Sequence, residues 1–209
     1  MKLVKIEECF GNKGCPNSLG DTKYLVEKLN EIIEEEKLED FIKEKCGEKV
    51  LLHNTFRIGI SNCPNACSQV HIKDFGLIQR GKLNFDKNSC VLCRECVKVC
   101  LERALKIENN ELNINYEKCI GCGSCIKVCE SNALSFSKKG FKIVAGGKLG
   151  RHPMLALEVK DFVENKDTII EIFKKIIKFY KENNLHGERL GSIIQRVGIN
   201  EFFNKLKGG

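Results

Sequence analysis

Residues 90–100 read CVLCRECVKVC and residues 119–129 read CIGCGSCIKVC. Both carry the spacing Cys-x2-Cys-x2-Cys-x3-Cys, at Cys90, Cys93, Cys96 and Cys100 and again at Cys119, Cys122, Cys125 and Cys129. The blocks align at a constant offset of 29, and the match continues past the cysteines, with Ala104 and Leu105 answering to Ala133 and Leu134. This is an internal repeat, one supersecondary unit used twice.

The spacing is that of a two-cluster bacterial ferredoxin. Three close thiolates on a tight loop wrap one face of an Fe4S4 cube, while the fourth, at the start of a short helix, reaches the other cube. One cluster is therefore expected on Cys90, Cys93, Cys96 and Cys129, and a second on Cys119, Cys122, Cys125 and Cys100. Gly121 and Gly123 let the backbone turn closely around metal. The proline that usually follows the fourth cysteine is absent, Leu101 and Glu130 standing there; a turn is weakened but no ligand is lost. Zinc sites favour two Cys-x2-Cys pairs across a longer gap, which fits a doubled four-cysteine run poorly. A disulfide scaffold would call for an export signal and a small cysteine-dense domain.

The 209 residues suffice for one sizeable domain and a small one, and 42% hydrophobic content suits a packed core. The start, MKLVKIEECF, has no apolar h-region, and no apolar run approaches the length of a membrane span. The 13 cysteines are thus expected in a reducing, cytoplasmic setting, as metal ligands. The net charge of +7 is spread over many lysines. That describes a solvated surface or a face for an anionic cofactor, substrate or acidic redox partner. No helix-turn-helix or finger pattern points to nucleic acid.

Residues 3–6 read as a first strand, and CFGNKGC at 9–15 as a loop before a helix capped by Ser18 or Asp21. Leu25, Val26, Leu29, Ile32 and Ile33 share one face of that helix, and a second helical piece spans 38–45. Cys46 has no partner at motif spacing and reads as a small buried hydrophobe. Residues 55–60 form a strand entering SNCPNACS, where Pro64 is expected in the first turn of a helix, with Cys63 at its mouth and Cys67 one turn in. Further strands are expected at 75–79, 105–107, 112–115, 134–136 and 141–145. The last ends in GGKLGRHP (146–153), whose glycines permit close approach to something bulky and whose Lys148 and Arg151 suit carboxylates. A long helix capped by Asn165 or Asp167 carries the stripe Ile169, Ile172, Phe173, Ile176, Ile177 and Tyr180. His186–Arg189 opens another helix, which Gly198 ends, and a last one carries Phe202, Phe203 and Leu206. The repeat, at 81–137, is thus expected as an insertion in a discontinuous α+β domain of residues 1–80 and 138–209.

Four cysteines outside the repeat form Cys-x5-Cys and Cys-x3-Cys, at Cys9, Cys15, Cys63 and Cys67. Alone, two such pairs can hold zinc. Here, however, the chain resembles the sirohaem-dependent sulfite and nitrite reductases. The resemblance rests on the two pairs, on FRIGISNCPNACSQVHIKDFGL (with Asn62 where Gly is frequent), on GGKLGRHP and on HGERLGSIIQRVG. A ferredoxin domain inserted after the Cys-x3-Cys half is similar to the dissimilatory and small anaerobic sulfite reductases and to the sulfite-reductase-like proteins of methanogens and clostridia.

The resemblance implies a haemoprotein half-domain whose Cys9, Cys15, Cys63 and Cys67 hold a third Fe4S4 cluster. Cys67 would be the thiolate shared with the sirohaem iron and hence the catalytic cysteine. Asn65, Lys148 and Arg151 would neighbour the sirohaem carboxylates. His152 is a possible proton donor, though a structural role suits it better. It further implies six-electron reduction of sulfite or nitrite, electrons arriving from an external ferredoxin or reductase subunit. The chain matches only one of the family's two related halves, and no residues answer to the basic set that grips the anion. A second copy or a partner subunit is therefore implied. The alternative expectation is a non-catalytic electron-transfer protein with several clusters and no sirohaem.

Overall fold

The computed structural model describes residues 2–47 and 50–207. Five strands form the main sheet: β1 (Val4–Glu8), β2 (Phe56–Ser61), β3 (Phe75–Phe85), β6 (Leu134–Ala145) and β7 (Leu157–Val163), in that spatial order. The pairs β1–β2 and β2–β3 are parallel, β3–β6 and β6–β7 antiparallel. A parallel pair needs a crossover. The first is supplied by α1 (Lys23–Glu35) and α2 (Leu38–Cys46), the second by residues 62–74, which hold Cys63 and Cys67.

One face of the sheet carries the core. Ile58, Ile60, Phe75, Leu77, Phe141, Ile143 and Ala145 meet Leu25, Leu29 and Ile32 of α1 and the buried stripe of α5 (Lys166–Asn183). Asn165 caps α5, its side chain accepting from Asp167 N at 2.7 Å. Tyr180 packs edge-on against Phe56 with ring centroids 5.1 Å apart, and Phe173 lies 4.8 Å from Phe75. Full burial of each such ring is worth about 1.5–3 kcal/mol. The helices α6 (Leu190–Val197) and α7 (Ile199–Lys207) close the same layer, Phe202 meeting Phe179 at 5.1 Å.

The antiparallel ribbon of β3 and β6 runs past the sheet and ends at the pair Phe85–Leu134. Beyond it lies a small lobe holding α3 (Glu95–Val99), the hairpin β4–β5 (Leu105–Glu108, Glu111–Ile114) and α4 (Ser124–Lys127). Its own core is Leu83, Cys96, Leu105, Leu112, Cys125 and Leu134. The ribbon crosses both expected borders of the inserted segment, and its bulge, between Lys82 and Leu83, falls beside one of them.

Several local expectations change. The strands expected at 134–136 and 141–145 are one strand, and that at 75–79 continues to Phe85, because each is paired along its whole length by the other. No helix starts at Pro64; residues 62–69 are turns, with Ala66 and Gln69 in the left-handed region at φ 52° and 56°. The last-but-one helix begins at Leu190, residues 186–189 forming its approach. Neither Ser18 nor Asp21 is the residue that caps α1, although Asp21 Oδ1 accepts from Lys23 N at 2.6 Å.

Candidate metal centres

Twelve of the thirteen cysteines fall into three groups of four, and all thirteen are free thiols. Cys90, Cys93, Cys96 and Cys129 line one cavity with Leu92, Ile107 and Leu134. Cys100, Cys119, Cys122 and Cys125 line a second with Leu83, Leu105 and Phe136. Each group draws its fourth member from the other half of the repeat. Burial pushes the Cys125 thiol up to about 12, and the nearby thiols of Cys119 and Cys122 add to the shift. Burial likewise raises Cys96, with Cys93, Cys129 and Cys90 adding to it.

The halves of the repeat are alike in backbone and unlike in surroundings. Leu92 and Arg94 take φ 55° and 69°, and their counterparts Gly121 and Gly123 take 70° and 75°. Glycine is required only in the second half, and the reason is space. A Cβ at Gly121 would stand 2.1 Å from Gly81 O, and one at Gly123 would stand 2.8 Å from the Phe136 ring. The second loop is laid directly on the ribbon, Gly81 N donating to Gly121 O at 3.0 Å. The first loop faces outward, with Val91 and Cys93 exposed.

The third group joins two loops at the ends of β1 and β2. Burial raises the Cys63 thiol, and Cys67, Cys9 and Cys15, within electrostatic reach of it, raise it further. Asn62, fully buried, ties the loops together. Its amide donates to Asn12 Oδ1 at 2.8 Å and to Gly20 O at 2.7 Å, and its backbone N–H donates to Cys9 Sγ at 3.3 Å. Gly11 supplies the room, since a Cβ there would meet Asn62 at 2.2 Å. Of the four thiols Cys63 is buried and Cys67 exposed. A cleft lined by Asn17, Cys63 and Asn65 on one wall and by Cys100, Leu101 and Cys122 on the other connects this group to the second cavity. Among the described residues, no three His, Cys, Asp or Glu converge as a single-ion site would require.

Asn65 and Arg151 are exposed on turns, while Lys148 is buried and its ammonium donates to His152 O within its own turn. Lys148 thus pins the 148–154 hairpin, which Lys148 N→Met154 O at 2.8 Å also closes. The glycines before it accommodate protein. Gly147 abuts His71 O, and Gly146 abuts α6. His152 is exposed on the same turn, and Cys46 packs as a partly buried apolar residue beside the main core.

The sequence reading missed the buried charges that join these segments. Asp74, fully buried, accepts from Arg189 Nε at 2.8 Å, Arg57 N at 2.7 Å and Leu190 N at 3.1 Å. Burial raises its pKa, and the guanidinium and N–H donors oppose that rise. Arg189 also donates to Gly147 O at 3.1 Å. The charged pair in KDFG and the arginine in HGER were the available signals.

The nitrite and sulphite reductase 4Fe-4S domain matches residues 2–208. The chain belongs to this family. It is 33% identical over 203 residues to the coenzyme F420-dependent sulfite reductase of Methanocaldococcus jannaschii, covering 95% of this chain and 30% of that one. It is 28% identical over 102 residues to a subunit of the anaerobic sulfite reductase of Salmonella typhimurium, covering 48% of this chain and 25% of that one. In structure it superposes on dissimilatory sulfite reductase I with a TM-score of 0.70 at 19% identity, over the whole chain and 53% of the other. Against the NirA protein of Mycobacterium tuberculosis the TM-score is 0.50 at 16% identity, over 94% and 26% of the two chains. The fold is that of the family's sulfite and nitrite reductase domains, and the chain spans about a third or less of the two sulfite reductase relatives' length. Among the described residues, no helix is long and apolar enough to cross a membrane.

Proposed function

We propose that this chain is the sirohaem-bearing oxidoreductase unit of a sulfite or nitrite reductase, with two ferredoxin clusters relaying electrons to a third. The observation that carries the reading is the grouping of twelve thiols into three fours, with a cleft joining the second group to the third. On this reading residues 81–137 form the ferredoxin unit, and residues 1–80 with 138–209 the sirohaem unit. Cys90, Cys93, Cys96 and Cys129 would hold the entry cluster, the loop of the first three facing outward. Cys100, Cys119, Cys122 and Cys125 would hold the second, and across the Asn17–Ser124 cleft Cys9, Cys15, Cys63 and Cys67 would hold the third, each cluster supplying one-electron redox chemistry. Cavities walled by four thiols and apolar side chains fit iron–sulfur cubes, which take thiolate ligands in a shielded setting.

Cys67 fits the shared thiolate, since it is the exposed member of its group. A bound sirohaem would supply the iron on which the anion is reduced. Asn65 and Arg151 stand free to meet carboxylates, whereas Lys148 acts by shaping the turn that presents Arg151. The names of the relatives favour sulfite as the substrate. The exposed Phe10 on the Cys9–Cys15 loop, and Leu149 and Leu155 around GGKLGRHP, favour a second copy or a partner subunit over these loops. Twelve cysteines grouped as metal ligands favour a reducing cytoplasm, where thiolates bind metal.

The test is an absorption spectrum with iron and sulfide analysis on anaerobically purified protein. Three cubes require about 12 irons per chain, and sirohaem adds about one. Cys67→Ser should abolish coupling between the tetrapyrrole and the third cluster while sparing the other two. An iron content of about 12 with no tetrapyrrole, from a host that makes sirohaem, would replace this reading with a pure electron-transfer role. Unchanged coupling in Cys67→Ser would remove the shared-ligand assignment.

A further inference from the structure

The repeat offers an internal comparison at Lys98 and Lys127, which occupy the same place in its two halves. Lys98 reaches Glu95, one turn back on its own helix, at 2.5 Å. Lys127 has Ser124 where that glutamate would be, and its ammonium instead crosses to the other lobe. It donates to Pro16 O at 2.7 Å and to Asn17 Oδ1 at 2.8 Å. Pro16 and Asn17 follow Cys15 directly, and Asn17 is on the wall of the cleft between the second and third thiol groups. A second lysine, Lys139 on the ribbon, donates to Leu19 O at 2.8 Å in the same loop.

We propose that Lys127 is a positioning residue that holds the Cys15 loop against the second half of the repeat and so fixes the separation of those two centres. The inference rests on the electron-relay reading above. The contacts are exposed, so they contribute little to overall stability. Their value is geometric. They link the helix bearing Cys125 to the residue after Cys15 across more than a hundred positions of chain. Electron transfer between two protein-held centres involves no bond making, so the separation that the protein holds is what such a contact can govern.

The test uses the full holoprotein with Lys127→Met, Lys127→Arg as the conservative variant and Lys98→Met as the matched control. Hydrogen exchange at the Ser18 and Leu19 amides reads the contact without reference to any cofactor. It should be about tenfold faster in Lys127→Met and unchanged in Lys98→Met. In rapid-freeze spectroscopy, reduction of the Cys9–Cys67 cluster should slow about tenfold in Lys127→Met at undiminished iron content, and Lys127→Arg should recover most of the rate. Unchanged exchange, or slowing of the same size in Lys98→Met, would overturn the proposal. An iron content well below about 12 in the parent protein would instead overturn the three-cluster reading, and the exchange measurement would still decide the role of Lys127.

Discussion

Gly121→Ala tests whether the second cysteine loop is held by contact with the ribbon. The added Cβ would lie 2.1 Å from Gly81 O, so the loop must retreat by about 1.2–1.5 Å to reach an ordinary carbon–oxygen separation. That retreat breaks the 3.0 Å bond from Gly81 N to Gly121 O, at about 0.5–1.5 kcal/mol. The left-handed backbone at φ 70° adds about 1–2 kcal/mol for a residue with a Cβ. Forcing the loop off its packing adds about 1–3 kcal/mol. The sum is about 2.5–6.5 kcal/mol, concentrated at the cavity of Cys100, Cys119, Cys122 and Cys125. The matched change Leu92→Ala meets the same backbone geometry at φ 55° with no strand beneath it, and should cost on the order of 1 kcal/mol. The assay is thermal loss of the iron–sulfur absorption in anaerobic samples, with iron content before heating. A drop on the order of 10 °C is expected for Gly121→Ala, and only a few degrees for Leu92→Ala. Equal shifts in the two variants would refute the argument from space.

Arg189→Met should destabilise the chain by about 3–5 kcal/mol, because it leaves the fully buried Asp74 without its counter-charge; adding Asp74→Asn should recover part of the loss in denaturant unfolding, and a loss under about 1 kcal/mol would count against the network. Glu7 gives a pH signature. Burial raises its pKa, but hydrogen bonds from Lys73 and Arg57 outweigh that and the net value lies below the ordinary 4.5. Its contribution is therefore present above about pH 4.5 and lost as the pH falls through the depressed folded value, so Glu7→Gln should flatten the acid limb of a stability–pH curve there. An acid limb identical to the parent's would show that other carboxylates carry it.

The repeat and the stripe of α5 were legible in the sequence, because each follows from a fixed spacing, whereas the four outlying cysteines were joined only by the family resemblance. What escaped is what spacing does not encode. Pro64 was expected to start a helix, yet Ala66 and Gln69 turn left-handed there, and Cys63 and Cys67 are presented on turns. Lys148 was read as a cation suited to carboxylates; the hairpin closes around it, and its ammonium donates to His152 O. The bonds of Asn62 and the pairing of Asp74 with Arg189 join residues 42 to 115 positions apart, and no local pattern announces such partners. Glycine at 121 and 123 was read as backbone freedom, whereas Leu92 and Arg94 manage the same dihedral angles. The need at 121 and 123 is clearance from Gly81 and Phe136.

The ribbon of β3 and β6 leaves one further consequence. Its last pair is Phe85 with Leu134, and Asp86 N still donates to Ala133 O at 2.8 Å. The chain thus departs for the small lobe and comes back through adjacent, hydrogen-bonded positions. To the rest of the molecule everything in between is a hairpin tip, and closing a longer tip costs only a slowly growing entropy. A lineage can therefore acquire or shed the lobe as a graft, replacing it with a short turn and disturbing no strand order. Its stem, a pair of strands already locked into the main sheet, sets where the lobe begins, and contacts such as those of Lys127 with Pro16 and Asn17 hold the rest.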